Sequence, residues 1–260
     1  MTSNTFSWSF DTKLIELSTI PLPIPGLPVE FEGYRLTQLS DFHLGTWLDS
    51  QAMVNIVELV NSLNSDLIAI TGDFVSSKVD QHAPVLKEAL KRLIARDGIV
   101  AVLGNHDHYT DAGKIRKALQ ESGVVELDNK VQIIQNGKAC LYVAGIDDPM
   151  TRHDNLDKVI ASLPAYDVPV ILLAHAPDFA ETSSKSGKIN LQLSGHTHGG
   201  QIRLPVIGPL YLPRLGRKYP SGKYKIGNMY LYTNRGLGTS WFKIRYNCPP
   251  EIATFELHTC

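Results

Sequence analysis

The sequence predicts an α/β protein. Short runs of Ile, Leu and Val alternate with amphipathic stretches along most of the chain, which is the pattern of strands covered by helices on both faces. Five of the apolar runs are followed at once by polar side chains of the kind that bind ligands. Apolar residues form 43% of the 260 residues and charged residues 20%, which is typical of a globular protein and excludes a disordered or fibrous one.

The apolar runs define the predicted strands. Before Gly195 they lie at 34–40, 67–71, 99–103, 139–145, 170–175 and 191–194. Amphipathic periodicity predicts four helices, at 49–64, 83–95, 111–122 and 156–163. Pro84 suits the first turn of the second helix, and Gly123 suits a left-handed cap after the third.

Glycine and proline become frequent after Gly195, and two further runs, 229–233 and 251–257, predict strands that close a second sheet. We find no internal repeat or linker. The sequence therefore predicts one domain over 1–260, with the catalytic motifs in 40–200 and a basic loop and closing strands in 201–260.

Composition excludes several classes of site and location. The three cysteines have no CxxC spacing, which argues against a disulfide framework or a zinc knuckle and favours a reducing compartment. A net charge of −1 gives no general attraction to nucleic acid. Prolines interrupt the apolar stretch near the N-terminus, so we expect no signal peptide and no transmembrane helix. We expect a cytoplasmic protein, with peripheral contact at the inner face of the membrane as an option.

Five short blocks carry the chemistry. They are Ser40-Asp41-Phe42-His43, Gly72-Asp73, Gly104-Asn105-His106-Asp107, Ala174-His175 and Gly195-His196-Thr197-His198. Each block alone is weak, because such pairs arise by chance and a single buried histidine is more often a core residue. Together they all follow predicted strands, and the carboxyl ends of strands in a helix-connected sheet converge on one crevice. The joint pattern predicts a shared functional site.

The five blocks, in this order, resemble the calcineurin-like metallophosphoesterase superfamily, and they span the chain from Asp41 to His198. The resemblance implies a four-layer αββα sandwich, in which two mixed sheets pack face to face with helices outside. It assigns Asp41, His43 and His198 to a first metal ion, Asn105, His175 and His196 to a second, and Asp73 to both. It also implies that His106 contacts phosphate and protonates the leaving group, and that Asp107 orients the His106 imidazole.

The residue types support a catalytic centre on chemical grounds. Imidazole, carboxylate and amide ligands suit Mn²⁺ best here, with Fe or Zn²⁺ as alternatives, and suit Mg²⁺ or Ca²⁺ poorly. Two divalent cations bring four positive charges, of which Asp41 and Asp73 neutralise two. The remainder matches one hydroxide and one anionic phosphoryl group, whereas a structural zinc site would be closed by four ligands. The implied mechanism is in-line attack by a metal-bridging hydroxide.

A basic region follows the last block. No acidic residue occurs between Glu181 and Glu251, while lysines and arginines recur throughout that stretch. Any one of them is expected on an ordinary solvated surface, but together they predict a positive rim that attracts an anionic substrate. The candidate substrate contacts are His108, Arg203, Arg214, Arg217, Lys218 and Arg235.

An apolar, proline-rich segment at 204–213 lies inside this basic region. It is either a loop packed over the edge of a sheet or a lid that touches acyl chains or a membrane while cations hold the phosphate. The sequences at 195–201 and 234–238 are similar to those of bacterial phosphoesterases that include chlamydial-type UDP-2,3-diacylglucosamine hydrolases and cell-envelope phosphodiesterases.

We therefore expect a dinuclear hydrolase of a phosphodiester or pyrophosphate bond in an anionic small molecule or lipid, with UDP-2,3-diacylglucosamine as one candidate. A phosphomonoesterase and a cyclic-nucleotide phosphodiesterase are alternatives. Two further alternatives are a metal-binding scaffold without turnover and a protein with a purely structural metal.

Overall fold

Two six-stranded sheets form the centre of the computed structural model, which describes residues 6–7, 10–240 and 242–260. In chain order their strands are β1 (Glu16–Pro23), β2 (Tyr34–Leu39), β3 (Leu67–Ile70), β4 (Ile99–Ala101), β5 (Val125–Glu126), β6 (Lys130–Asn136), β7 (Ala139–Gly145), β8 (Val170–Leu173), β9 (Leu191–Ser194), β10 (Gly222–Ile226), β11 (Met229–Thr233) and β12 (Glu251–His258). The helices are α1 (Ser50–Ser62), α2 (Val79–Leu90), α3 (Asn105–Thr110), α4 (Ala112–Glu121), α5 (Leu156–Ala161) and α6 (Ala180–Ser183).

Both sheets are mixed. The first has the order β1-β12-β2-β3-β4-β5, in which only the β12–β2 pairing is antiparallel. The second has the order β10-β11-β9-β8-β7-β6, with antiparallel pairs at its two edges and parallel pairs between them.

The sheets pack face to face over a shared apolar core. The first sheet contributes side chains such as Leu36, Val100 and Phe255, and the second contributes Val143 and Leu193. Helices α1, α2 and α4 cover the outer face of the first sheet, and α5 and α6 cover that of the second. The arrangement confirms the predicted four-layer αββα sandwich. Burial of these apolar faces is the main favourable contribution to folding.

The structure corrects three predictions about single elements. Strand β12 lies in the first sheet between β1 and β2, so it does not join β11 in a second sheet. Helix α2 begins four residues before the predicted start at residue 83, which places Pro84 inside the helix and not in its first turn. Strands β1, β5, β6 and β10 were not predicted; in β1, Pro21 and Pro23 weaken the strand pattern. Proline is tolerated there because β1 is an edge strand, where one side of the backbone needs no sheet partner.

The carboxyl ends of the central strands share one edge of the sandwich. Parallel pairing aligns the ends of β2, β3 and β4, with Leu39 opposite Ile70 and Ile70 opposite Ala101. The ends of β8 and β9 are aligned in the same way in the second sheet. Gln38 joins the two sheets at this edge by donating from its amide nitrogen to the Ser194 carbonyl at 2.9 Å. This edge is where the five sequence blocks meet.

The membrane-span prediction can be compared with the helices. Among the described residues, every helix is too short or too polar to pass through a lipid bilayer.

Candidate metal centre

The backbone of the site is held in an unusual conformation. Asp41, His43, Asp73, His196 and His198 all have positive φ angles, between 47° and 70°. Residues other than glycine rarely adopt this left-handed region, which costs roughly 1–2 kcal/mol for each residue. Such strain persists only where surrounding contacts enforce it, and it is concentrated at functional sites. The surrounding fold therefore holds these side chains in place, although the loop backbone would be less strained in another conformation.

Asp73 is the carboxylate around which the site is arranged. Its Oδ2 atom lies 3.4 Å from His43 Nε2 on one side and 3.1 Å from His175 Nε2 on the other. Its Oδ1 atom accepts a hydrogen bond from the His106 main-chain N–H at 2.9 Å. The side chain is buried. Asp73 is thus positioned to be shared by two groups of histidines.

Besides a set of His43, Asp73 and His106 that overlaps both, two groups each bring three possible ligand atoms within 4.8 Å of one another. Asp41, His43 and His198 form the first, and Asp73, His175 and His196 form the second. This is the partition expected from the sequence, although the assignment of each residue to a bound ion stays a prediction. Such clusters of carboxylate and imidazole groups suit divalent cations.

The hydrogen bonds of two histidines show which of their ring nitrogens donates to the main chain. His175 Nδ1 lies 2.6 Å from the Thr71 carbonyl oxygen, and His196 Nε2 lies 2.8 Å from that of Arg214. A carbonyl oxygen only accepts, so these two nitrogens carry the protons. In the neutral rings the lone pairs therefore lie on His175 Nε2 and His196 Nδ1, which is how a second contact prepares an imidazole for metal binding.

Two buried atoms on the His175 side of the site have no hydrogen-bond partner among the described residues. They are Asn105 Oδ1 and His175 Nε2. The latter lies 3.1 Å from Asp73 Oδ2 but outside hydrogen-bond geometry. A buried polar atom without a partner costs about 1–3 kcal/mol. Unpaired lone pairs on an amide oxygen and an imidazole, beside a carboxylate, fit a divalent cation.

The electrostatics of the two buried imidazoles differ. Burial and the neighbouring His175 lower the pKa of His196 to about 4, so this ring is neutral at pH 7 and ready to bind a cation. Burial opposes the charged form of His175, but Asp73 outweighs burial and raises its pKa to about 10. Binding of a cation through His175 Nε2 therefore releases a proton.

Asp107 has a different place from the predicted one. Its two carboxylate oxygens accept hydrogen bonds from the main-chain N–H groups of Asp73, Phe74, Val75 and Gly104, at 2.8 to 3.3 Å. The prediction that it orients the His106 imidazole is wrong, because both oxygens are used by the backbone. Asp107 instead ties the turn that carries Asp73 to the start of α3.

A cavity of about 810 Å³ opens over the candidate ligands. Asp73, Asn105, His106, His196 and His198 lie on its polar side. Its other wall is largely apolar and includes Tyr109, Met150, Ile202, Leu210, Tyr211, Pro213 and Phe242. The sequence patterns singled out the polar side, whereas the aromatic residues come from separate loops whose convergence depends on the tertiary fold.

The basic residues predicted to contact substrate are mostly elsewhere. As far as the described residues define the cavity, Arg214 is the one member of that set that lines it. Four of the remaining five have side chains engaged with other groups, whereas Arg217 is bonded through its main chain and its side chain is exposed. His108 pairs with Asp147, Arg203 donates to the Gly199 carbonyl, the Arg217 main chain donates to Asp178, Lys218 pairs with Glu181, and Arg235 pairs with Glu16 and Glu251. Where these side chains pair with acidic residues distant in sequence, they contribute less positive charge to the predicted rim.

Comparison with known proteins matches this site to one family. The family model of calcineurin-like phosphoesterases matches residues 34–200, a range that contains every candidate ligand. The chain belongs to the calcineurin-like phosphoesterases. It is accordingly a metal-dependent phosphoester hydrolase, and the resemblance expected from the five sequence blocks is confirmed.

Relatives of this phosphoesterase match over most of its length. It is 33% identical to the metallophosphoesterase YkuE of Bacillus subtilis, over 95% of this chain and 87% of that protein. It is 28% identical to the phosphodiesterase YaeI of Escherichia coli, over 86% of this chain and 82% of that protein. A transmembrane protein with a metallophosphoesterase domain from Danio rerio is 31% identical, over 92% of this chain and 56% of its own.

Solved structures share the fold of the phosphoesterase at low sequence identity. The sulfate thiohydrolase SoxB of Thermus thermophilus superposes with a TM-score of 0.51 at 15% identity, covering 86% of this chain and 57% of that one. A 5′-nucleotidase precursor from the same species gives a TM-score of 0.51 at 15% identity, over 78% and 49%. These similarities show a common fold.

Gly195 allows the two sheets to approach at the site. A Cβ atom there would lie 1.9 Å from Ser40 Oγ and 2.2 Å from Asp41 Oδ2. We predict that Gly195→Ala displaces Asp41, lowers the free energy of unfolding by about 1–3 kcal/mol and weakens Mn²⁺ binding. Thermal unfolding and calorimetric titration measure both effects. Gly113→Ala in α4 is the control, since its Cβ would meet only the Asp111 side chain at 3.3 Å. Equal unfolding temperatures and Mn²⁺ affinities in the two variants would contradict the packing argument.

Proposed function

We propose that this phosphoesterase hydrolyses a phosphodiester or pyrophosphate bond with two divalent cations held on either side of Asp73. The observation that carries the proposal is the position of this buried carboxylate, within 3.4 Å of His43 and 3.1 Å of His175. A carboxylate shared by two ligand groups is the arrangement that two-metal hydrolysis requires. The set of imidazole, carboxylate and amide donors favours manganese, with iron or zinc as alternatives.

The cations, when bound, supply Lewis-acid stabilisation of the phosphoryl oxygens and activate water for attack. The chain supplies the geometry. Asp41 accepts the His196 main-chain N–H at 3.0 and 3.1 Å, and this contact joins the last ligand loop to the first. Asp107 fixes the Asp73 turn to the start of α3 through its four main-chain contacts. We expect both carboxylates to keep the ligand atoms in place during turnover.

His106 is the proposed proton donor to the leaving group. Its half-buried imidazole lines the cavity, with its ring centroid 4.7 Å from that of His43. Burial lowers its pKa and so disfavours the protonated ring, whereas an anionic phosphoryl group beside the ring would favour the protonated form that can donate. Protonation of the departing oxygen matters most when the leaving group is a poor one.

The apolar wall of the cavity supports an amphiphilic substrate. A cavity of about 810 Å³ is far larger than a phosphate group, and ligand pockets of this size take molecules with substantial apolar surface. Leu210, Tyr211 and Phe242 line the cavity and are exposed at its mouth. We therefore favour a phosphodiester or pyrophosphate whose leaving group carries acyl or other apolar parts. UDP-2,3-diacylglucosamine is one candidate of this class.

A short hairpin beside the cavity is the proposed membrane contact. Arg203–Leu204 pairs with Gly208–Pro209, and the side chains of Val206 and Ile207 are exposed at its tip. The exposed Arg214 and Arg217 follow along the chain. Exposed apolar side chains beside cations suit the surface of an anionic bilayer. Peripheral binding there would deliver a lipid-linked substrate to the cavity.

Substitution of His106 tests the chemistry. With Mn²⁺ in excess, we expect the wild-type protein to hydrolyse bis-nitrophenyl phosphate and UDP-diacylglucosamine faster than nitrophenyl phosphate or cyclic nucleotides. His106→Ala should retain Mn²⁺ yet lose about 10²–10⁴-fold in kcat where the leaving group is poor, and distinctly less for nitrophenolate. Steady-state kinetics on the four compounds measure this. Equal losses for all leaving groups would contradict proton donation, and Mn²⁺ binding by the wild type without any turnover would favour a scaffold.

Polar substitutions at the hairpin tip test the membrane contact. Val206→Ser with Ile207→Ser should reduce sedimentation with phosphatidylglycerol vesicles, because about 1.5–3 kcal/mol of apolar burial is lost for each side chain. Hydrolysis of water-soluble bis-nitrophenyl phosphate should not change. Val29→Ser, at another exposed valine, is the control. If the tip variant binds vesicles as the wild type does, the hairpin has no membrane role.

A further inference from the structure

Ser76 contacts a candidate ligand of the first group, although no sequence pattern singled it out. Its Oγ atom is hydrogen-bonded to Nδ1 of His43, whose side chain is fully buried. The backbone enforces this contact, because the Ser76 N–H donates to the Leu44 carbonyl at 3.1 Å and the Leu44 N–H donates to the Phe74 carbonyl at 2.9 Å. Main chain and side chain together thus join the turn that carries Asp73 to the segment that carries His43.

The other nitrogen of the His43 ring faces the remaining candidate ligands. His43 Nε2 lies 3.4 Å from Asp73 Oδ2 and 3.7 Å from Asp41 Oδ1. It also lies 2.9 Å from His198 Nε2. Nε2 can bind a cation only when it presents a lone pair, which in the neutral ring requires the proton to be on Nδ1. The position of this proton therefore decides whether His43 is a ligand.

The direction of the hydrogen bonds follows from a buried arginine on the far side of His198. A serine hydroxyl both donates and accepts, whereas a guanidinium only donates. Arg245 Nη2 lies 3.2 Å from His198 Nδ1, so Nδ1 accepts and the one proton of that ring is on Nε2. This proton is directed at His43 Nε2, which accepts it. The proton of His43 is therefore on Nδ1 and is donated to Ser76 Oγ.

We propose that Ser76 is a positioning residue of the metal centre, whose hydroxyl accepts the Nδ1 proton of His43 and so directs the Nε2 lone pair at the cation held by Asp41, His43 and His198. This inference rests on the proposed two-metal function. The proton between the two Nε2 atoms is the one that a cation would replace, and the bond to Ser76 would remain. Without the hydroxyl, the His43 ring would lose the contact that selects its metal-binding tautomer.

Ser76→Ala removes the acceptor and tests the proposal through metal binding. Calorimetric titration of the metal-free protein with Mn²⁺ should show two sites in the wild type. In the variant we expect one site to weaken by about 10–100-fold, which is the usual effect of removing such a partner, and the other to be unchanged. Ser76→Thr keeps the hydroxyl and should restore the affinity. Ser77→Ala, at the exposed serine that follows, is the matched control and should bind Mn²⁺ as the wild type does.

The tautomer of His43 can be measured without any metal. Nitrogen-15 NMR of the metal-free protein should show a proton on His43 Nδ1 in the wild type and in Ser76→Thr, and a shift of the proton toward Nε2 in Ser76→Ala. Wild-type Nδ1 without a proton, two unchanged Mn²⁺ sites in Ser76→Ala, or equal weakening in Ser77→Ala would overturn the role of Ser76. A wild-type protein that binds no Mn²⁺ would overturn the two-metal function, and the NMR spectrum would separately decide the direction of the hydrogen bonds.

Discussion

The structure depends on the burial of negative charge at one edge of the sandwich. Asp41, Asp73 and Asp107 are all buried there within a small volume. Isolated buried carboxylates are strongly unfavourable, so each needs hydrogen bonds, histidines or cations around it. Asp107 is satisfied by main-chain N–H groups alone, whereas Asp73 faces imidazoles on two sides. Asp107 therefore stabilises the fold, whereas Asp73 is available to bind metal.

The rest of the fold keeps the ligand loops in place against their strain. The loop at 234–238 supports the first block, because the N–H groups of Leu237 and Gly238 donate to the carbonyls of Ser40 and Asp41. The fully buried Arg245 holds that loop in turn by donating to the Gly236 and Gly238 carbonyls. A chain of hydrogen bonds thus connects the last part of the sequence to the first candidate metal ligands. Preorganisation of this kind is what a catalytic centre requires.

Sequence reasoning located the polar half of the site because each ligand lies within a few residues of a strand end. Such signals are local, so the ends of β2, β3, β4, β8 and β9 could be found without the tertiary structure. The prediction that the basic residues form a positive rim at the site failed for Arg235 and Lys218. Their acidic partners, Glu16 and Glu181, lie far away in sequence and could not be foreseen. Long-range pairing of this kind, like the insertion of β12 between β1 and β2, leaves no local pattern.

The central claim is that two cations share Asp73. Anomalous diffraction at the manganese edge, from crystals of the protein grown with Mn²⁺, tests it most directly. The account predicts two peaks, one among Asp41, His43 and His198 and the other among Asn105, His175 and His196, with the Asp73 carboxylate between them. A single peak closed by four protein ligands, or manganese bound away from Asp73, would contradict it.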